Sequence, residues 1–126
     1  ALAVKDGGTL ILVAPCREGI GGEEFARLLS SSSSPDDALA TIQGTYKLGY
    51  HKAAKMAAVS KRITVMALTD LDWATIRSLF LEPVDELNEA VSEALARARA
   101  HGVDEPKVII LPDGCVTVPR ERAATR

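Results

Sequence analysis

Thr9-Leu10-Ile11-Leu12-Val13-Ala14 is a short, unbroken apolar run, entered from Gly7-Gly8 and left through Pro15-Cys16-Arg17-Glu18-Gly19-Ile20-Gly21-Gly22. A strand with one wet face alternates apolar and polar residues, whereas a strand covered on both faces does not, so this run reads as part of a parallel sheet. Two runs of the same kind follow, Ile63-Thr64-Val65-Met66-Ala67-Leu68 and Lys107-Val108-Ile109-Ile110-Leu111, each preceded by a helical stretch. Strands alternating with helices predict a three-layer α/β domain, Rossmann-like in plan, with a small parallel sheet of about three strands flanked by helices.

Working outward, the first helix follows Gly21-Gly22 and buries Phe25, Leu28 and Leu29. The serine run from Ser30 to Ser34 reads as a loop, after which Asp36 or Asp37 caps a short helix through Ile42. A helix from about Lys47 to Lys61 buries Leu48, Met56 and Val59. Asp72 is the expected N-cap of the next helix, with Leu71 stapling onto Ile76 and with Trp73, Ile76 and Phe80 facing inward. The clearest periodicity lies between Pro83 and about His101, where Leu87, Ala90, Val91, Ala94, Leu95 and Ala98 form one stripe and Gly102 is the stop. Ala1, Leu2 and Val4 before Lys5-Asp6-Gly7-Gly8 look like the last turn of a helix with its glycine terminator. The tail Arg120 to Arg126 has no apolar residue larger than Ala and is expected to fray, which leaves residues 1–119 as a single domain.

At 126 residues the chain accommodates one full core and no second. Fifteen Lys and Arg stand against 17 Asp and Glu, a balance that offers no general attraction to nucleic acid or to an anionic membrane. No apolar run is long enough to cross a bilayer, and the first residues lack the regions of a signal peptide, so the expected location is cytoplasmic. Cys16 and Cys115, far apart and outside any C-x-x-C spacing, predict neither a disulfide framework nor a metal site within this chain.

Ligands of open parallel sheets bind beyond the carboxyl ends of the strands. In the first of the loops this rule selects, Gly19, Gly21 and Gly22 permit close backbone approach to an anionic cofactor and Arg17 supplies charge. The spacing is not G-x-G-x-x-G, and a tight strand-to-helix turn accounts for the glycines equally well. The segment Gly49-Tyr50-His51-Lys52-Ala53-Ala54-Lys55 gathers an imidazole and two ammonium groups, with His51 and Lys55 one helical turn apart. It reads either as an anion clamp or as a solvated basic face. No Ser or Cys lies in a nucleophile elbow.

The run Gly7 to Ala14 followed by Glu18-Gly19-Ile20-Gly21-Gly22-Glu23-Glu24-Phe25 resembles the start of the C-terminal domain of the nickel-dependent lactate racemase family. Leu48 to Lys55 is similar to a G-x-H-K-A stretch of its members, Glu86 to Ala98 to their Ala-rich helix, and Val108 to Gly114 to their closing strand and turn. The resemblance implies a two-domain cytoplasmic isomerase of a small 2-hydroxy acid, working in an interdomain cleft with a nickel pincer nucleotide. It also implies that the catalytic histidines, the cofactor lysine and the nickel ligand belong to an N-terminal domain, and that a Tyr-Gln-x-x-Lys motif lies just before Ala1. Tyr50, His51 and Lys52 are then expected to face the cleft and contact substrate, with Arg17, Gly19, Gly21 and Gly22 shaping the cofactor wall. No metal ligand and no cofactor are expected of this chain alone. Where characterised lactate enzymes carry a Trp-containing segment, this chain has Gly49-Tyr50-His51-Lys52, so a 2-hydroxy acid other than lactate is as well accommodated. Two readings of other classes compete: a stand-alone phosphate- or nucleotide-binding module, and a domain kept for docking or oligomerisation.

Overall fold

The computed structural model describes residues 3–45 and 47–120. Its order is β1 (Thr9–Val13), α1 (Glu23–Ser31), α2 (Pro35–Gly44), α3 (Tyr50–Arg62), β2 (Thr64–Leu68), α4 (Trp73–Ser78), β3 (Glu82–Pro83) and α5 (Leu87–Ala100). The sheet has the order β1-β2-β3 and is parallel throughout, with Thr9 opposite Thr64, Val13 opposite Leu68, and Met66 opposite Glu82. Helices flank it: α3 packs on β2 and α5 on β1.

The third strand is not the expected 107–111 but Glu82–Pro83. A short crossover through α4 delivers Glu82 and Pro83 to the open side of β2, and the Val84 amide adds a further bond to the Ala67 carbonyl at 3.0 Å. That pairing fills the lane beside β2, and residues 107–111 are in no strand, with Ile110 81% exposed. The same pairing holds the chain extended through Pro83, so α5 begins at Leu87 rather than Pro83, capped by the Glu86 carboxylate on the Glu89 amide.

Local chemistry sets the other boundaries. Ser34, not Asp36 or Asp37, caps α2: its hydroxyl accepts from the Asp37 amide at 3.1 Å, and Pro35 takes the first helical position. The serine run is structured rather than a free loop: Ser30 and Ser31 close α1 and donate back to the Arg27 and Leu28 carbonyls, and the Ser32 hydroxyl donates to the Leu28 carbonyl. Gly49, at φ +95°, starts α3 three residues beyond Lys47 at Tyr50. Leu48 is thereby left before the helix and 82% exposed instead of buried.

Helices α4 and α5 end in the same way. The residue after each C-cap is left-handed, and two amides fold back on the last turn. After α5 that residue is Gly102 (φ +88°), with Val103 bonding to the Ala98 carbonyl at 3.1 Å. After α4 it is Phe80 (φ +60°), with Leu81 bonding to the Ile76 carbonyl at 3.3 Å.

The core lies between the first three helices. Phe25, Leu28 and Leu29 of α1 meet Ala38 of α2, Tyr50, Ala53 and Ala57 of α3, and Leu79. The sheet contributes Val65, Met66 and Ala67. At the amino end, Arg62 donates to the Val4 carbonyl and pairs with Asp6 at 3.0 Å, while the Gly7 amide bonds to the Arg62 carbonyl at 2.9 Å. Gly7 is left-handed, as a terminator requires, and Ala3 and Val4 form a turn and a bend before it; Ala1, Leu2 and the tail from 121 to 126 lie outside the described residues.

Candidate functional site at the carboxyl edge of the sheet

A helix that follows a parallel strand runs back along it, so the helix starts gather at the strands' carboxyl ends. Three such segments meet here: the loop after β1, the loop after β2 and the start of α3. The first two are tied by the Ala14 amide on the Leu68 carbonyl (3.1 Å) and the Asp70 amide on the Pro15 carbonyl (3.2 Å). Between them Val13, Ala14, Pro15, Leu68, Thr69 and Asp70 line a shallow recess.

Cys16 (φ +50°), Gly19 (φ +78°) and Gly21 (φ +84°) are all left-handed, and the Gly19 amide closes a turn on the Cys16 carbonyl at 2.9 Å. Gly22 precedes α1 without a side-chain cap. The charge around this loop is mixed. Glu23 and Glu24 occupy the first turn of α1 and Arg27 pairs with both, at 3.8 and 3.4 Å, while Arg17 and Glu18 are exposed. Below the loop an open groove of about 670 Å³ runs toward α4, lined in part by Gly19, Gly21, Gly22, Thr75 and Ser78.

The start of α3 abuts the start of α1. A Cβ placed on Gly49 would lie 3.8 Å from the Glu24 Cβ and 3.9 Å from the Phe25 nitrogen. Tyr50 is 8% exposed and belongs to the core cluster with Phe25, against which Ile20 of the glycine loop also packs. His51 and Lys52 are exposed, as is Lys55 one turn on. The structure thus brings the glycine loop and the basic segment together through Phe25, Ile20 and Tyr50. It separates Tyr50, turned into the core, from His51 and Lys52, which stay in solvent.

Trp73, expected inside, is 46% exposed. α4 has six residues and buries only Ile76, with Leu79 beyond it; Trp73, at the first position, overhangs this edge beneath the Arg77 guanidinium, 5.2 Å from the ring centroid. Asp72 is the expected cap. Hydrogen bonds from the Thr75 hydroxyl (2.6 Å) and amide (2.9 Å) hold its carboxyl below the usual carboxylate range, so it is committed to the helix end rather than to proton transfer. Sequence reasoning passes over Thr75 and Ser78 as site residues, although their i, i+3 spacing from Asp72 already places them on one face.

Among the described residues no three His, Cys, Asp or Glu side chains converge as a metal would require. The Cys16 and Cys115 thiols are free, half-buried and exposed respectively. Among the described residues this edge carries backbone amides and exposed cations, with no nucleophile in contact with a base.

Fold and edge together define a parallel α/β domain whose loops and helix starts gather at the carboxyl ends of its strands. Residues 1–118 match the lactate racemase C-terminal domain, and the chain belongs to that family. It is 28% identical over 125 residues to the lactate racemase of Thermoanaerobacterium thermosaccharolyticum, a match covering 95% of this chain and 28% of that protein. It is 33% identical over 115 residues to the lactate racemase of Lactiplantibacillus plantarum, covering 87% of this chain and 26% of that one. The structure of the T. thermosaccharolyticum lactate racemase apoprotein superposes with a TM-score of 0.67 at 28% identity, over 74% of this chain and 24% of that chain. The chain therefore spans little more than a quarter of the length of these relatives.

Proposed function

We propose that this chain forms one wall of the interdomain cleft of a cytoplasmic 2-hydroxy acid racemase or epimerase, opposite an N-terminal domain of the same protein. The observation that carries this reading is the start of α3. Helices favour acidic residues in the first turn, because the amide dipoles make that end positive. α3 has none there and no side-chain cap; instead it bears His51 and Lys52, with Lys55 one turn on. This arrangement costs helix stability and favours one kind of visitor, an anion such as a substrate carboxylate.

Within the cleft, Lys52 supplies the charge that holds the carboxylate and His51 donates a hydrogen bond that sets its orientation. Tyr50 acts by position, its burial fixing the direction in which α3 presents the next two residues. The glycine loop, with Arg17, Gly19, Gly21 and Gly22, forms the adjoining wall. Glu23 and Glu24 at its helix end disfavour a phosphate there, which weighs against a stand-alone nucleotide-binding module.

The nickel cofactor of the family reading would supply hydride acceptance and return. Among the described residues no donor set fits the metal, and we assign its ligands to the N-terminal domain.

The test is Lys52→Ala in the full-length protein. The expected result is a raised KM and a kcat/KM lower by about tenfold or more, equivalent to at least about 1.4 kcal/mol of transition-state binding. Glu89→Ala, exposed at the start of α5, should leave both constants near wild type. Equal and small effects from the two substitutions, with folding intact by circular dichroism, would return the basic segment to solvated surface.

A further inference from the structure

Lys107-Val108-Ile109-Ile110-Leu111 has the composition of a buried strand and the environment of none. No backbone group between Lys107 and Leu111 has a hydrogen-bond partner among the described residues. Val108 and Ile110, which would share one face of a strand, are exposed, and so are Ile109 and Leu111 on the other. A solvated edge strand keeps its apolar residues to one face; a strand apolar on both faces needs a covered place in a sheet. Beyond it Val116 and Val118 are exposed as well, and Pro106, lacking an amide proton, precedes the run.

We propose that residues 107–111 cross the domain boundary and add as a strand to an open sheet edge in the N-terminal part of the full-length protein. The proposal rests on the function proposed for the chain, which requires such a part. Two further observations favour this occupant over a second copy of the chain. Sequence similarity to the T. thermosaccharolyticum enzyme runs through 95% of the chain, whereas superposition on its apoprotein covers only 74%, so part of the chain is aligned in sequence without sharing the superposed unit. And the chain is only 28% of that enzyme's length, so most of such a protein lies outside this unit and is available to receive the strand. Main-chain bonds would supply the attachment and Val108 to Leu111 the selectivity, as in other cases of strand addition.

Hydrogen exchange on the full-length protein tests this. The amides of 108–111 should exchange at least about a hundredfold more slowly than in an unstructured peptide, at a rate unchanged over a tenfold dilution. Ile110→Asp should abolish that protection and speed exchange in one strand of the N-terminal part, leaving the amides of β1 and β2 as they were. Exchange at unstructured rates in the wild type would overturn the proposal. So would protection lost on dilution, which indicates a second copy, or an Ile110→Asp effect on β1, which indicates pairing within this sheet. If the variant does not fold, the wild-type rates and their dilution series decide. Racemase activity is read separately: protection without activity removes the proposed function and keeps the strand addition, and activity with unstructured exchange does the reverse.

Discussion

Gly102 and Phe80 hold the same left-handed position after their helices, and the two residues fit it unequally. Nothing lies within 4 Å of where a Gly102 Cβ would stand, so the change to alanine tests backbone conformation alone. Gly102→Ala should destabilise the chain by about 1–2 kcal/mol, read as a lower denaturant midpoint with unchanged slope. Phe80 accepts the same strain because its ring packs against the core cluster. Gly102 was legible as a stop because a left-handed residue closing an apolar helical stripe selects for glycine. Phe80 was not, since nothing local marks a large aromatic as left-handed. The same limit applied at Tyr50: the sequence shows an aromatic beside two cations, and only the packing of α3 on α1 sends the ring inward and the cations out.

At the scale of elements, α4 and α5 share a device, a carboxylate closing the first turn. Asp72 is held down chiefly by the Thr75 hydroxyl, and Glu86 chiefly by the Asn88 amide, then by the Glu89 amide. Each carboxyl has a lower pKa folded than unfolded, so each adds stability above its unfolded value and loses it as pH falls through the folded one. The melting temperature should therefore decline below about pH 4, and Asp72→Asn with Glu86→Gln should flatten that part of the profile. Caps of this kind were legible where a short polar residue preceded an apolar stripe, as at Asp72. They were misplaced at α2, where Ser34 competed with two aspartates, and at α5, where β3 pairing kept Pro83 extended. Strand β3 was itself illegible: Glu82-Pro83 is too short and too polar to announce a strand, and it exists because β2 offers an open side. Arg97 of α5 secures it with a two-pronged contact to Glu82, at 3.1 and 2.8 Å. Glu82 and Glu93 raise the Arg97 pKa further, so this tie keeps its cation at any working pH.

The whole molecule is held by the cluster between α1, α2 and α3, and Leu29 is its most enclosed large side chain, with no exposed surface. Leu29→Ala should cost about 2–5 kcal/mol, the upper end if the surrounding alanines cannot close in, measured by chemical denaturation. The residues proposed for recognition, His51 and Lys52, sit at the opposite extreme of burial, exposed at the carboxyl edge. The general plan, a parallel sheet with helices on its faces, was legible because covered strands have their own composition. The lane taken by each strand was not, since composition records the need to be covered and not the neighbour that does it.

Because Thr9 pairs in parallel with Thr64, the whole of α1, α2 and α3 lies inside the loop that this pairing closes. Closing a long loop is entropically slow, whereas the contacts among those three helices are local along the chain. The order of events during folding follows. The helical cluster around Leu29 is expected to form first, with β1 left without a partner until the synthesis or collapse of β2 brings one. In that interval Leu10, Ile11 and Leu12 would be an unpaired apolar ribbon, which predicts that a chain truncated before β2 aggregates more readily than the whole one.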